Sequence, residues 1–169
     1  MGVSFVLYTA EAGPSSAYMC YVAEVDVDES SGEVRVRKVT AAIDAGLIVN
    51  PDGLTNQVEG GVIQGMSWCM KEQVTFDHAI VTSHDWATYP ILTFPEVPEI
   101  EVVLVDRPDQ PAKGVGEPVT VPVASAIANA IHDATGARIR DLPLTPDRVK
   151  AAITGNTATP AASPAAMAT

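Results

Sequence analysis

The sequence has few cysteines and no long hydrophobic run, and each shortage excludes a class of protein. Its 169 residues include two cysteines, Cys20 and Cys69, which are far apart and belong to no C-x-x-C pair. They indicate reduced, buried thiols, leave a disulfide between them open, and exclude an iron–sulfur cluster held by this chain alone. No stretch has the length of a transmembrane helix, and the apolar N-terminus has no basic segment. We therefore expect a soluble protein of the cytoplasm, with the periplasm as the alternative.

Basic residues are also scarce. Ten lysines and arginines stand against 21 aspartates and glutamates, which gives a formal net charge of −11. Nucleic acids and anionic membranes both bind positive surfaces, so neither is an expected partner. Hydrophobic residues make up 47% of the chain, enough for one domain with its own core. We expect that domain at residues 1–153, followed by a disordered Ala/Thr/Pro/Ser-rich tail at 154–169.

Alternating stretches predict an α+β fold that begins with an antiparallel hairpin. Residues 1–17 show no clean period, and residues 11–16 are typical of a loop. Residues 18–27 and 33–43 alternate between apolar and polar side chains on either side of a Glu-Ser-Ser-Gly turn. This pattern predicts two paired strands with one wet face.

The middle of the chain predicts shorter elements. Short strands are expected within residues 71–80 and a further alternating strand at 100–105, while the prolines of 89–98 exclude a regular helix there. Two histidines, His78 and His84, have acidic neighbours. Their spacing fits no standard ligand pattern, so we expect no metal site formed by these side chains.

Two main helices and one short helix are predicted. The first covers about residues 51–70, with Asn50 as its N-cap and a proline as its first residue. The second covers about 119–135 and ends at Gly136, and the third covers 146–153 with a threonine as its N-cap. The apolar face of the first helix consists of Leu54, Val58, Val62, Met66 and Met70. The apolar face of the second consists of Val123, Ile127, Ile131 and Ala134.

Three glycines and two glutamines distinguish the first helix. Gly60, Gly61 and Gly65 lie in its interior, where each glycine costs up to about 1 kcal/mol relative to alanine. They indicate a close approach of another backbone or of a ligand. Gln57 and Gln64 share a face, from which either can reach a polar group. Tight helix packing with solvent-exposed amides explains the same pattern, and the residues alone leave both interpretations open.

The segment before the second helix is Lys113-Gly114-Val115-Gly116-Glu117-Pro118. Its glycines let the backbone turn or approach another group. The proline suits the first turn of a helix and pushes the residue before it out of the α region. We therefore expect Glu117 to be extended, just outside the helix, where one carboxylate faces a ligand as an acid or a base. The simpler interpretation is a glutamate that caps the helix or interacts with its dipole.

Three segments with such features occur in one order along the chain. They are Asp44-x-Gly46…Asn50-Pro51, then Gln57-Val58-Glu59-Gly60-x-x-x-Gln64-Gly65, then Gly114-x-Gly116-Glu117-Pro118. In combination they resemble the C-terminal part of the molybdenum-cofactor subunit of the xanthine oxidase family of molybdenum hydroxylases. Within that family the isoquinoline and nicotinate dehydrogenase type of large subunit is the most similar. The resemblance covers roughly residues 17–153 and includes Leu144-Thr145-Pro146-Asp147-Arg148-Val149.

The resemblance implies a cofactor and roles for particular residues. Glu117 matches the family's catalytic base, for hydroxylation of a carbon in an N-heterocycle or an aldehyde with water as the oxygen source. Gln64 matches a glutamine that hydrogen-bonds the cofactor, which is molybdopterin, in its cytosine dinucleotide form. Because the dithiolene of the cofactor binds molybdenum, no side chain here is expected as a metal ligand. The remaining cofactor contacts fall on Gly65, Lys113, Gly114, Val115 and Gly116.

The resemblance also implies partners, since the family's cofactor subunit is several times longer than this chain. We expect a larger molybdopterin-binding chain and an iron–sulfur subunit that carries the clusters, with activity only in their presence. The chain is then a split subunit or an excised domain, whose residues 89–94 line the substrate approach. The alternative function is a cofactor-free interaction or assembly module with the same fold. A hydrolase with paired carboxylates is a weaker third hypothesis, because only Glu117 has a suitable setting.

Overall fold

The computed structural model describes residues 1–8 and 17–155, and the predicted α+β fold is confirmed. The predicted loop at 11–16 lies outside the described residues, as does the predicted tail apart from Thr154 and Gly155, which form a turn. Single 3₁₀ turns cover Phe94–Glu96 and Glu117–Val119. The strands and helices are β1 (Gly2–Tyr8), β2 (Ala17–Asp28), β3 (Glu33–Asp44), α1 (Pro51–Met70), β4 (Phe76–Asp77), β5 (Ile80–Val81), β6 (Glu99–Val105), α2 (Val121–Thr135) and α3 (Pro146–Ile153).

One mixed sheet of four strands supports the domain, in the order β1-β2-β3-β6. β2 and β3 form the predicted antiparallel hairpin, with Asp26 opposite Arg35 and a bulge between Glu24 and Val25. β6 pairs with β3 in parallel, so the chain must cross over between these two strands. The connection contains α1, and the crossover therefore places this helix beside the sheet.

β1 is a strand that the sequence pattern did not indicate, and its contacts explain why. Gly2 is buried, whereas Val3 and Phe5 are exposed. A Cβ on Gly2 would lie 2.1 Å from the backbone nitrogen of Ala130 in α2. The side chain of Asn129 donates a hydrogen bond to the Val3 carbonyl at 2.8 Å. Backbone pairing and polar contacts with α2 hold this strand, so it has no apolar period for a sequence pattern to show.

The two main helices and the sheet share one core. α1 has the predicted bounds, its N-cap Asn50 accepts a hydrogen bond from the Gly53 backbone nitrogen at 3.0 Å, and its predicted apolar face is buried except for the half-buried Met70. α2 begins two residues later than predicted, because a 3₁₀ turn precedes it. Ala134 was predicted on its buried face and is exposed in the last turn. The predicted C-cap Gly136 is confirmed, with a φ of 74°.

The face of the sheet turned away from the helices is apolar at one end and charged at the other. At the charged end, the Lys38 ammonium lies 3.0 Å from Glu99 and 2.8 Å from Glu101. At the other end, the rings of Phe5 and Tyr18 stack with their centroids 6.4 Å apart. The expectation of a wet face was made for the hairpin, whose residues on this side are exposed or half-buried, and most of the exposed apolar side chains come from β1 and β6. The exposed apolar residues there are Val3, Phe5, Tyr18, Val103 and Val105.

The remaining sequence-based expectations concern thiols, metals and membranes. Cys20 is half-buried, Cys69 is buried, and both are free thiols. His78 lies 2.8 Å from the carboxylate of Asp77, and the described residues include no cluster of three or more His, Cys, Asp or Glu side chains suited to a metal ion. Among the helices in the described part of the chain, none has the length and apolar character needed to cross a membrane.

Candidate functional site

The segment that carries Glu117 forms a tight turn in front of α2. The Lys113 backbone nitrogen donates to the Ala45 carbonyl at 2.9 Å, which attaches the start of the segment to the end of β3. The expectation of an extended Glu117 is wrong, because this residue is the first of the 3₁₀ turn. Its carbonyl accepts hydrogen bonds from the backbone nitrogen of Thr120 at 3.1 Å and from the Thr120 hydroxyl at 2.9 Å. These two bonds close the turn.

The C-terminal end of this turn is fixed in the core. The buried hydroxyl of Tyr21 donates a hydrogen bond to the Val119 carbonyl at 2.9 Å, and burial raises the pKa of this tyrosine well above its ordinary value. Val119 is fully buried beside α1, where a Cβ on Gly61 would lie 2.3 Å from the valine Cγ2. Only glycine allows this approach, so Gly61 explains how the turn comes so close to α1.

The N-terminal end of the turn is held by a side chain of α1. The amide nitrogen of Gln57 donates to the carbonyls of Val115 and Gly116, both at 3.2 Å. The prediction that Gln57 or Gln64 reaches a polar group is therefore confirmed for Gln57. The sequence singled out Gln57 because it shares a helix face with Gln64. That pattern did not indicate that the partner of Gln57 is the backbone of residues 115 and 116.

An open cleft of about 640 Å³ runs between α1, the turn and the loop before β6. Gln64 lies on its wall with an exposed amide that makes no hydrogen bond to any described residue. Ser67, also from α1, is buried and accepts a hydrogen bond from the Leu92 backbone nitrogen at 2.9 Å, which fixes the loop against the helix. The wall thus combines an available amide with apolar surface. The lining residues that matter here are Gln57, Gln64, Trp68, Ile91, Leu92, Gly116 and Thr120.

Glu117 borders this cleft through the two residues that cap its turn. Gly116 and Thr120 belong to the wall, whereas the Glu117 side chain is not among the described residues that line it. The carboxylate is exposed, and it makes no hydrogen bond or ion pair to any described residue. Because neither the turn nor α2 has a side-chain cap, the capping interpretation of Glu117 is wrong. The carboxylate is available to a ligand or to solvent.

The other predicted site residues separate into three places. Gly116 joins Gln64 in the cleft, whereas Lys113 and Val115 border a separate hollow of about 230 Å³ at the start of α1. Gly114 lies between them, and a Cβ there would meet no heavy atom within 4 Å. Gly65 is buried, and a Cβ on it would lie 2.9 Å from Val123 Cγ2, so its packing against α2 is sufficient to require glycine.

Two carboxylates lie beside the end of α1: Glu72 lines the cleft, and Glu96 belongs to the 3₁₀ turn before β6. Burial raises the pKa of Glu96, but an ion pair with Lys71 and hydrogen bonds from Thr93 outweigh it and lower the pKa to about 2. Glu72 accepts a hydrogen bond from the Tyr89 hydroxyl at 2.7 Å, which raises the pKa of that tyrosine. Both carboxylates are engaged by the protein, in contrast to Glu117.

A large polar cofactor fits the residues around the cleft. A Cβ added at Gly60, Gly114 or Gly116 would meet no heavy atom within 4 Å. Packing within the described chain therefore does not require glycine at these positions. Space that the protein leaves open beside glycine backbone suits a ligand that contacts the backbone directly. The exposed Gln64 amide offers both a donor and an acceptor to such a group.

Comparisons with known proteins agree with this interpretation. Residues 5–98 match the molybdopterin cofactor-binding domain family. The chain is 50% identical over 143 residues to a nicotinate dehydrogenase subunit of Pseudomonas putida, covering 85% of this chain and 12% of that protein. It is 35% identical over 144 residues to the beta subunit of isoquinoline 1-oxidoreductase from Brevundimonas diminuta, covering 85% and 18%.

The fold also matches a solved structure. Quinoline 2-oxidoreductase from Pseudomonas putida 86 superposes with a TM-score of 0.75 at 26% identity, over 83% of this chain and 19% of that one. The chain thus spans less than a fifth of the length of these relatives. Its α1 lies within the matched family residues, and the turn that carries Glu117 follows them. The chain belongs to the molybdopterin cofactor-binding domain family, within the xanthine oxidase family of molybdenum enzymes.

Proposed function

We propose that this chain forms part of the active site of a molybdenum hydroxylase, with Glu117 as the catalytic base. The observation that carries the proposal is the position of Glu117, in a turn that borders the cleft and leaves its carboxylate without a partner among the described residues. A carboxylate that is engaged elsewhere is a poor base, and Glu72 on the cleft wall and Glu96 in the 3₁₀ turn before β6 are both engaged. Glu117 is the acidic side chain best placed to accept a proton.

In this proposal the cofactor lies along the cleft. The Gln64 amide hydrogen-bonds the pterin, and Gly116 and Gly114 admit it close to the backbone. Lys113 and Val115 extend the contact from the neighbouring hollow, and the buried Gly65 contributes by letting α1 pack on α2. When bound, the molybdenum cofactor supplies the oxidation by accepting the electron pair that leaves the substrate carbon. We propose the cytosine dinucleotide form of molybdopterin, on the basis of the bacterial relatives.

The role of Glu117 is to accept one proton at a carboxylate oxygen as water-derived oxygen is added to the substrate carbon. The carboxylate is exposed and has no hydrogen-bond or ion-pair partner among the described residues, so it is available to take up a proton. The turn that bears it is held at both ends, by Gln57 and by Tyr21. A base held in this way needs little reorganisation to reach the proton.

The proposed substrate is a small N-heterocycle or an aldehyde. Nicotinate dehydrogenase and isoquinoline oxidoreductase, which have names of N-heterocycle enzymes, are among the relatives. Apolar surface from Trp68, Ile91 and Leu92 on the cleft wall suits a flat, largely apolar ring. Ile91 and Leu92 come from the segment predicted to line the substrate approach.

We propose that partner chains supply the rest of the cofactor site and the route for electrons. Since the relatives are more than five times longer than the matched region, we propose that this chain corresponds to the C-terminal part of their molybdenum-binding large subunit. A larger molybdopterin-binding chain then supplies the rest of the cofactor site, and an iron–sulfur subunit carries the electrons away. We place the complex in the cytoplasm.

The test is Glu117→Gln in the complex reconstituted from this chain and its partners. The substitution keeps the shape of the side chain and removes its ability to accept a proton at neutral pH, so we expect kcat to fall by about 10²- to 10⁴-fold. Molybdenum content, measured by metal analysis, is expected to stay at the wild-type level. Glu33→Gln, at the distant start of β3, is the control and should turn over normally. Near-normal turnover by Glu117→Gln would contradict the proposal, and a native complex without molybdenum would favour the cofactor-free module.

A further inference from the structure

Gln57 is the side chain that joins α1 to the backbone directly before Glu117. Its amide nitrogen carries two hydrogens, and the two carbonyls that it reaches, of Val115 and Gly116, are each 3.2 Å away. Both donors of one amide are thus used on two consecutive peptide groups. No other described residue donates a hydrogen bond to either carbonyl.

Within the segment that Gln57 holds, residues 114–116, only Val115 has a side chain, and it packs against the core. Gly114 and Gly116 have no side chains, and a Cβ on either would meet no heavy atom within 4 Å. Glycine is also the residue with the greatest backbone freedom. Without the Gln57 amide, the backbone between the Lys113 nitrogen, which is bonded to Ala45, and the Glu117 carbonyl, which is bonded to Thr120, would have few constraints.

The other end of the turn is constrained independently. Val119 is fully buried, its carbonyl accepts the Tyr21 hydroxyl at 2.9 Å, and its side chain packs on Gly61. Glu117 therefore lies between one end fixed in the core and one end held by the Gln57 amide and by the packing of Val115. The position of its carboxylate relative to the cleft depends on both ends.

We propose that Gln57 is a positioning residue, which sets the position of Glu117 at the cleft by holding the Val115 and Gly116 carbonyls. The inference rests on the proposed role of Glu117 as the base. It assigns to the first glutamine of the Gln-Val-Glu-Gly segment a role that differs from that of Gln64, whose amide is exposed in the cleft. Displacement of a catalytic group by about 1 Å can reduce the rate about 100-fold.

Two variants test this role in the reconstituted complex. Gln57→Glu keeps the length of the side chain but presents oxygen acceptors to two carbonyl oxygens, and Gln57→Ala removes the amide altogether. For both we expect kcat to fall about 10- to 100-fold, with KM and molybdenum content close to wild type. Amide hydrogen exchange across residues 114–117, measured by mass spectrometry in the same complex, is expected to become faster.

The matched control is Asn56→Asp, which makes the same amide-to-carboxylate change on the adjacent residue of α1. The Asn56 amide donates to the Asp52 carbonyl at 2.9 Å, within the helix, so exchange and kcat should both remain at wild-type values. Unchanged exchange across 114–117 in both Gln57 variants would overturn the proposed contact. Unchanged kcat, or a loss of molybdenum in proportion to kcat, would overturn the positioning role.

Failure of this inference can be distinguished from failure of the proposed function. If Glu117→Gln turns over normally, the base assignment is wrong whatever the Gln57 variants do. If Glu117→Gln is inactive and the Gln57 variants have wild-type kcat, the base assignment stands and Gln57 does not position it. The exchange measurement reports on the backbone of the loop and does not depend on catalysis.

Discussion

The side chains around the cleft differ in what already occupies their polar groups. Gln57 uses both amide hydrogens on the backbone before Glu117, Ser67 accepts from Leu92, and Glu72 accepts from Tyr89. Gln64 has no hydrogen bond within the described chain. A polar group without a protein partner at a cleft wall is the one most available to a ligand.

This difference predicts the effect of Gln64→Ala. Since the variant removes the one or two hydrogen bonds proposed to the cofactor and no bond within the described protein, we expect cofactor affinity to fall by about two- to tenfold with little change in folding stability. Molybdenum per complex under limiting cofactor, together with a urea unfolding curve, measures both. Gln73→Ala, just beyond α1 and outside the cleft wall, is the control. Unchanged molybdenum content in the Gln64 variant would make this residue part of the surface only.

The glycines of α1 illustrate the scale of whole elements, because neighbouring positions have opposite surroundings. Gly61 faces Val119, and an added Cβ would lie 2.3 Å from the valine Cγ2. Gly60, one residue earlier, has no heavy atom of another element within 4 Å of a Cβ position. The three-glycine pattern predicts a close approach of another element or of a ligand. Packing of α1 explains the glycines at Gly61 and Gly65. At Gly60 the space beside the helix is open, so packing within the described chain does not explain that glycine.

We therefore predict opposite effects for two otherwise identical substitutions. Gly61→Ala should reduce the free energy of unfolding by about 1–3 kcal/mol, because Val119 and the turn behind it must shift. Gly60→Ala should leave it unchanged or raise it by up to about 1 kcal/mol, since alanine favours a helix interior. Urea denaturation of both variants measures the difference. Equal effects at the two positions would contradict the helix–turn contact.

Many of the helices and strands could be predicted from the sequence. α1 has its predicted bounds because its N-cap, its first-turn proline and its apolar spacing all act within a few residues of chain. The tight turn at Glu117 was missed, because its closure depends on both the hydroxyl and the backbone of Thr120. β1 was also missed, since its partners lie on β2 and α2 and two of its apolar side chains, those of Val3 and Phe5, are exposed.

At the scale of the whole molecule, stability depends on how much polar and ionisable structure the single core encloses. Burial raises the pKa of the Cys69 thiol to about 12 and raises the pKa of the Tyr21 hydroxyl well above its ordinary value. Both groups are neutral when folded, and in the unfolded chain they ionise near pH 9 to 10. Above about pH 9 the unfolded state therefore binds fewer protons than the folded state. The contribution of these two groups to stability is complete below about pH 9 and is lost progressively as the pH rises above it.

We predict that the free energy of unfolding falls as the pH rises from about 9 towards 12, by up to about 1.4 kcal/mol per pH unit from Cys69 alone. Urea unfolding curves at pH 8, 9 and 10 test this. Cys69→Ala should flatten the decline between pH 9 and 10, although it lowers stability at every pH by leaving a cavity. Cys20→Ala, which removes the half-buried thiol, is the control. A slope unchanged by Cys69→Ala would contradict the assignment.

The sequence by itself determined the family, the main helices, the hairpin and the candidate site residues, because motifs and periodicities are local properties of the chain. Tertiary structure alone decided what those residues do for one another. Both glutamines of α1 line the cleft, but Gln57 is hydrogen-bonded to the backbone before the turn, whereas Gln64 has no hydrogen bond within the described chain. The tertiary structure also brought Tyr21 and Gly61, from β2 and α1, to the end of the turn that bears Glu117. These contacts join residues that are many positions apart, and a hydrogen bond to a backbone carbonyl leaves no periodic trace in the sequence.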